Sequence, residues 1–245
     1  MNESQDIQPE STQLSPDASS YPASVKAAYG AKAPVLTVKG NSLLLDAPGL
    51  GFCGSRKASE KGLAAAVDCA DQAAQAGFVI ISGNAAGVDT TAHHAALAAG
   101  GSTILVLPEG MDQFRIRREL CPVWDWNRVL VISQFEPEAI WRGYRAMTRN
   151  DLIIALSRAM IVIEAGDKGG TLAAGMNTLK KEKPLFVANY EAIEEQAPGN
   201  AQLLGLGAYR LSRSRKTGRA NIAKLAEVAA RPVPDRPNDH QMNLL

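Results

Sequence analysis

The chain has 245 residues, 46% apolar and 21% charged, and its 26 basic and 25 acidic side chains leave a net charge of +1. This composition excludes a wholly disordered chain and fits one good-sized globular domain with tails. Near-neutrality also means that any hold on a polyanion must come from local arrangement, not from bulk charge.

Residues 1–32 carry Glu3, Asp6, Glu10 and Asp17 against Lys26 and Lys32, a net of −2, and are rich in Ser, Gln and Pro. With no sustained period, this segment is predicted to be mostly disordered. Its acidic, polar start predicts no secretory leader. From residue 33 to 208 two periods alternate. Apolar, β-rich runs lie at 34–38, 50–53, 78–81, 103–107, 129–132, 160–163 and 184–187. Most are continuous, as strands buried on both faces of a parallel sheet read. Helical patterns lie between them. The first covers 60–76, with Leu63, Val67, Ala70 and Ala74 on one stripe and Gly77 as its stop. Others cover 88–99, 114–121, 149–157 and 171–182. The alternation predicts an α/β fold with a doubly wound, mostly parallel sheet. Residues 209–231 hold Arg210, Arg213, Arg215, Lys216, Arg219, Lys224 and Arg231 against Glu227 alone, a net of +6. Residues 232–245, with Pro232, Pro234 and Pro237, read as a frayed end. The predicted organisation is therefore a tail over 1–32, a core over 33–208 and a basic segment with a frayed end over 209–245.

Cys53, Cys69 and Cys121 are odd in number, far apart and without a C-x-x-C pair. They predict reduced packing thiols and a cytoplasmic protein. No apolar run is long enough to span a membrane, and no internal repeat is visible.

In open parallel sheets ligands sit beyond the carboxyl ends of the strands, so the residues after each strand carry the functional reading. After Cys53 comes Gly54-Ser55-Arg56-Lys57. A turn-forming glycine, a hydroxyl, free N–H groups at a helix start and a guanidinium suit a phosphate, or simply form a capped turn. After Ile81 comes Ser82-Gly83-Asn84-Ala85-Ala86-Gly87-Val88-Asp89, a second glycine-rich turn. Here Asp89 can cap or pair with Arg56, and His93 can contact a ligand or close a core hydrogen bond. Arg149 and Asn150 are predicted to precede a helix, with Asn150 as its cap and Arg149 projecting from its positive end toward an anion. Glu164-Ala165-Gly166-Asp167-Lys168-Gly169-Gly170-Thr171 again opens a helix on glycines. Candidate stacking aromatics are Phe114, Trp124, Trp126, Phe135, Trp141 and Tyr144. There is no G-x-x-x-x-G-K-[ST], no G-x-S-x-G and no acid/base pair in likely register. His93, His94 and His240 form no metal set. The reading is a binder, not an enzyme, with no cofactor and no metal.

The order Val38-Lys39-Gly40-Asn41, Gly54-Ser55-Arg56, Ser82-Gly83-x-Ala85-x-Gly87-Val88-Asp89-x-x-Ala92-His93, Gly101-x-Thr103-Ile104, Ser133-x-Phe135, Arg149-Asn150-x-x-Ile153-x-x-Leu156-Ser157 and Glu164-Ala165 resembles the DNA-processing protein A (DprA/Smf) family over about residues 33–190. That resemblance implies an extended Rossmann-like domain, single-stranded DNA binding, dimerisation and loading of a RecA-type recombinase in natural transformation. It implies that Gly54-Ser55-Arg56 holds a DNA phosphate and that Arg149 is a second basic contact. Asn150 would shape the pocket, and Ser82, Gly83, Gly87 and Asp89 would form the adjoining loop. The chain departs from the family pattern at Ala86, at Ala146-Met147-Thr148 and at Asp151. Two alternatives remain beside it. One is a nucleotide-sensing module of the SLOG type, which fits a core of net −2. The other resembles the LOG-type phosphoribohydrolases, although Ala174 stands where their glutamate is expected, leaving Glu164 or Glu109 for that role.

Overall fold

The computed structural model describes residues 8–190 and 193–230. The expected frayed end over 232–245 and the first seven residues of the expected tail lie outside the described residues. Nine strands make one sheet: β1 (Ser11–Leu14), β2 (Leu36–Gly40), β3 (Gly49–Cys53), β4 (Val79–Ser82), β5 (Thr103–Val106), β6 (Val129–Ser133), β7 (Ala159–Val162), β8 (Leu185–Ala188) and β9 (Tyr209–Leu211). Their order is β1-β2-β6-β5-β4-β3-β7-β8-β9. From β6 across to β9 every neighbouring pair is parallel, whereas β2 runs antiparallel to β6 and to β1. Each of the seven apolar runs overlaps a strand.

Eight α-helices lie among the described residues: α1 (Ala23–Tyr29), α2 (Glu60–Gln75), α3 (Val88–Ala98), α4 (Gly143–Leu156), α5 (Gly170–Lys180), α6 (Ile193–Gln196), α7 (Pro198–Gly205) and α8 (Ala223–Ala230). The sheet is doubly wound. Leu50, Phe52, Ile80 and Ile161 point to the face covered by α2, α3 and α8. Their sequence neighbours Cys53, Ile81, Met160 and Val162 point to the other, under α1, α4, α5 and α7. Alternate side chains feed two cores, which is why the strands read as unbroken apolar runs. Each large side chain buried this way contributes roughly 1.5–3 kcal/mol.

Three expectations need correction. Residues 8–32 are not structureless: β1 pairs with β2 from Ser11 against Lys39 to Leu14 against Leu36, and Val25 of α1 is fully buried. Only Leu14 of β1 is buried, so the strand is held mainly by its backbone ladder and leaves little apolar signal. Residues 114–121 form no α-helix; a short 3-10 turn starts only at Cys121. Phe114 and Leu120 both pack on Leu105, Val129 and Val131, but six residues apart they cannot share one helical stripe. The preceding backbone pairs elsewhere, Gly110 N–H donating to Ala139 O at 2.8 Å and Asp112 N–H to Pro137 O at 3.1 Å. Finally, α4 begins at Gly143 instead of near Arg149.

The topology places one crevice. From β3 the chain passes through α2 to β4 on one side, while β7 flanks β3 on the other. The loops after β3 and β7 therefore diverge to opposite faces, the place where doubly wound sheets open a ligand site.

Candidate functional site

A cleft of about 520 Å³ opens at this switch point. Gly54, Ser55 and Arg56 form one wall, Gly166, Lys168, Gly170 and Thr171 another, and Arg149, Asn150, Trp141 and Met147 of α4 and its lead-in a third. Three of the four turns singled out in the sequence thus converge. The fourth, after β4, contributes Ala85 and Asp89 to the cleft and supports the first.

That support is steric. Gly87 has φ +77°, and a Cβ there would meet the Ser55 and Arg56 carbonyl oxygens at 2.5 and 2.7 Å. Val88 N–H donates to Ser55 O at 3.3 Å. The two glycine-rich loops are therefore locked together, and only glycine permits the approach. Ser55 Oγ accepts from Lys57 N–H at 3.0 Å, which tightens the turn. Arg56 is exposed at the rim, its guanidinium 5.6 Å from the Trp141 ring centre.

The floor is electrostatic. Arg149 is the seventh residue of α4, on the helix face turned to the sheet, with a side chain only 6% exposed. Its Nη1 lies 3.8 Å from Asp89 Oδ2 and donates to Val106 O at 3.3 Å. Its Nε is buried and has no hydrogen-bond partner among the described residues. Burial holds the Arg149 pKa down, opposed first by Asp89. The guanidinium fits only because Gly83 carries no side chain, since a Cβ there would overlap Nη1. A buried cation with an idle donor, bordering a cleft, has the chemistry that suits an anion. The N-terminus of α5, opened by Gly169 and Gly170, adds backbone donors and the positive end of a helix dipole.

Several expected contributors serve the scaffold instead. Ser82 is fully buried, and its Oγ donates to Phe52 O at 2.7 Å. Asn84 lies beside the cleft, its carbonyl accepting two bonds from Arg117 at 3.0 and 2.8 Å. Lys57 is exposed and does not line the cleft. Asn150 lines it but lies inside α4, so it is no cap. Asp89 faces Arg149, not Arg56, and accepts from Ala85 N–H at 3.3 Å. His93 closes a core network: Nε2–H donates to Gly83 O at 2.7 Å, and Nδ1 lies 2.6 Å from Thr103 Oγ1. Burial pushes its pKa down to about 4, so the ring is neutral. Cys53 lines the cleft, but burial pushes its thiol up to about 12, which makes it inert.

Glu164 is spoken for as well. It accepts from Ser59 N–H at 2.8 Å, from Ser59 Oγ at 2.6 Å and from the Tyr190 hydroxyl, while Ser59 Oγ caps α2 through Gly62 N–H at 3.0 Å. It braces the first turn of α2. Ala174 is buried in the core. Arg231 lies outside the described residues; among the described basic residues of 209–230, Arg219 pairs with Asp68 and Asp71 of α2, and none lines the cleft. Sequence reasoning left Trp141, Met147 and Lys168 out of the site. Trp141 stood among the stacking candidates, and it is 48% exposed at the rim. Phe114, Trp124 and Trp126 instead pack on one another away from the cleft.

A family model described as DNA recombination-mediator protein A matches residues 12–220. The chain belongs to this family. The match of this DNA recombination-mediator protein A member extends past both ends of the stretch that carried the resemblance, taking in β1, α1 and β9. The DNA processing protein DprA of Streptococcus pneumoniae is 33% identical over 190 residues, which is 77% of this chain and 66% of that protein. The chain thus spans just under two thirds of that relative's length. The X-ray structure of DNA processing protein A from Streptococcus pneumoniae superposes with a TM-score of 0.73 at 30% identity, covering 82% of this chain and 70% of that one. The corresponding structure from Helicobacter pylori gives a TM-score of 0.69 at 26% identity, covering 82% and 90%. Both share the extended Rossmann-like core of this family member.

Proposed function

We propose that this member of the DNA recombination-mediator protein A family binds single-stranded DNA in the cleft at the carboxyl edge of its sheet. The observation that carries the reading is Arg149, a buried guanidinium with an unpartnered Nε, set beside backbone donors of the Gly54-Ser55-Arg56 turn and of α5. The DNA processing protein A from Helicobacter pylori has a single-stranded DNA binding mode, and its fold is that of this chain. Contacts to phosphate grip the polymer without reading its sequence, and an exposed aromatic at the rim gives bases a stacking face. The cleft holds no carboxylate free for acid/base work, because Glu164 braces α2 and Asp89 faces Arg149. The same reading places the protein in the cytoplasm, in DNA recombination or transformation, with a RecA-type recombinase as partner and with itself as a dimer.

Fluorescence anisotropy with a labelled oligo-dT tests the cleft. Arg56→Ala should weaken binding by roughly 1.5–3 kcal/mol if the rim guanidinium makes a charge-assisted phosphate contact. Wild-type affinity should fall with salt at about 0.7 in log–log slope for each phosphate contacted. A flat salt response, together with tight binding of a mononucleotide, would replace this reading with a nucleotide sensor.

A further inference from the structure

A second recess, of about 370 Å³, lies between α2 and the strands β8 and β9, and it shares no lining residue with the cleft. Its floor is apolar and cut mostly from small side chains: Ala65 and Cys69 of α2, Ala188 of β8, Leu211 of β9, and Ala220. One wall is tied down at two points. The chain after β9 turns back through an antiparallel Arg213–Ala220 bridge; Arg219 holds that turn to Asp68 and Asp71, and Ala220 O accepts from Gln72 Nε2 at 2.8 Å. The hollow is therefore preformed, as small-molecule sites usually are. Its acidic groups are neutral or taken. Burial pushes the Cys69 thiol up to about 12. The Asp68 carboxylate accepts from Arg219 and from Ala220 N–H. Tyr190 has given its hydroxyl to Glu164, which leaves its ring as lining. The donors are idle. Lys61, Asn189, Ser212 and Arg213 line the recess, and their side chains make no hydrogen bond or ion pair among the described residues.

We infer that this recess binds a small amphipathic anion: a carboxylate carried on a compact apolar body. Charge selects the head. The only carboxylate in the lining, Asp68, is already neutralised by Arg219, so Lys61 and Arg213 leave the space net positive. Arg213 offers the planar fork that matches a carboxylate, Lys61 a point charge, and Asn189 and Ser212 neutral donors. The floor selects the body. An inorganic anion would leave the alanine-lined hollow wet, and a neutral hydrocarbon would give the two cations nothing in return. On α2 the positions 61, 65, 68 and 69 share one face, so the same helix supplies a head contact and the floor beneath it. The size of the recess lies within the range of small-molecule sites. With no residue in common with the cleft, the inference stands whether or not DNA binds there.

The test titrates octanoate calorimetrically into the wild-type full chain. Beside it stand 1-octanol, which keeps the body without the charge, and acetate, which keeps the charge without the body. Octanoate should bind at least about ten-fold more tightly than either, the lower end for one charge-assisted hydrogen bond or for a few buried methylenes. Ala65→Phe fills the floor and should abolish octanoate binding. Lys61→Gln combined with Arg213→Gln changes two exposed side chains, so it should leave the melting temperature in place and reduce octanoate to the level of octanol. If Ala65→Phe does not fold, this surface pair decides. Octanoate that binds no better than octanol or acetate, or whose advantage survives the loss of both cations, overturns the site.

Discussion

Arg149 and Asp89 separate folding from binding. Their side chains are 6% and 9% exposed and their charged atoms lie 3.8 Å apart. At an effective dielectric near 20, that separation corresponds to about 4 kcal/mol of attraction, set against a desolvation cost of several kcal/mol per ion. The pair as a whole therefore contributes little, but neither partner tolerates loss of the other. Arg149→Met leaves Asp89 buried without its counter-charge and should cost about 3–5 kcal/mol. Arg149→Met combined with Asp89→Asn removes both charges, and the amide oxygen of Asn can still accept from Ala85 N–H as Asp89 does at 3.3 Å. The double variant should regain most of the lost stability in urea denaturation. Its oligo-dT affinity should nonetheless fall by about 1.5–3 kcal/mol, because the guanidinium proposed to meet the phosphate is gone. A double variant that binds like wild type removes Arg149 from the site. A single Arg149→Met as stable as wild type refutes the coupling.

Two further perturbations address the scaffold. The His93 pKa is about 4 in the fold against an unperturbed 6.5, so its contribution to stability is complete above pH 6.5 and is lost as pH falls toward 4; near pH 5 the loss amounts to about 2 kcal/mol. Urea midpoints near pH 7 and pH 5 should diverge less in His93→Gln than in wild type, and an unchanged divergence refutes the assignment. Gly87→Ala should destabilise by at least about 1–3 kcal/mol and also weaken oligo-dT binding by displacing the Gly54–Lys57 turn. Gly100→Ala shares the positive φ, +81°, but its Cβ would meet nothing within 4 Å, so it should carry the strain alone and leave binding untouched.

Much of the architecture was legible because its signals are local. Continuous apolar runs separated by Ala-rich stripes announce strands buried on both faces with helices above and below. Glycine-rich turns after β3, β4 and β7 mark where the chain bends toward the cleft. The site itself was read less well, for identifiable reasons. Asn150 looks like a cap, but α4 starts at Gly143 behind Arg142, whose side chain makes no capping bond, so no cap residue marks the true start. That shift by almost two turns changes Arg149 from an exposed guanidinium at a helix end to a buried one on its inner face. Pairings such as Arg149 with Asp89 and Glu164 with Ser59 join residues 60 or more positions apart and leave no trace in spacing.

The one-dimensional chain determined the seven central strands, most of the helices between them, that the sheet is mostly parallel, and which turns bend on glycine. These follow from periodicity and from the conformations that glycine alone adopts. Tertiary structure decided which turns converge and which merely cap, that Arg149 forms the floor and Arg56 the rim, and that Trp141 joins Arg56 there. Those outcomes depend on strand order and on helix rotation by a fraction of a turn. Both are settled by packing between distant segments, whose energies no local pattern records.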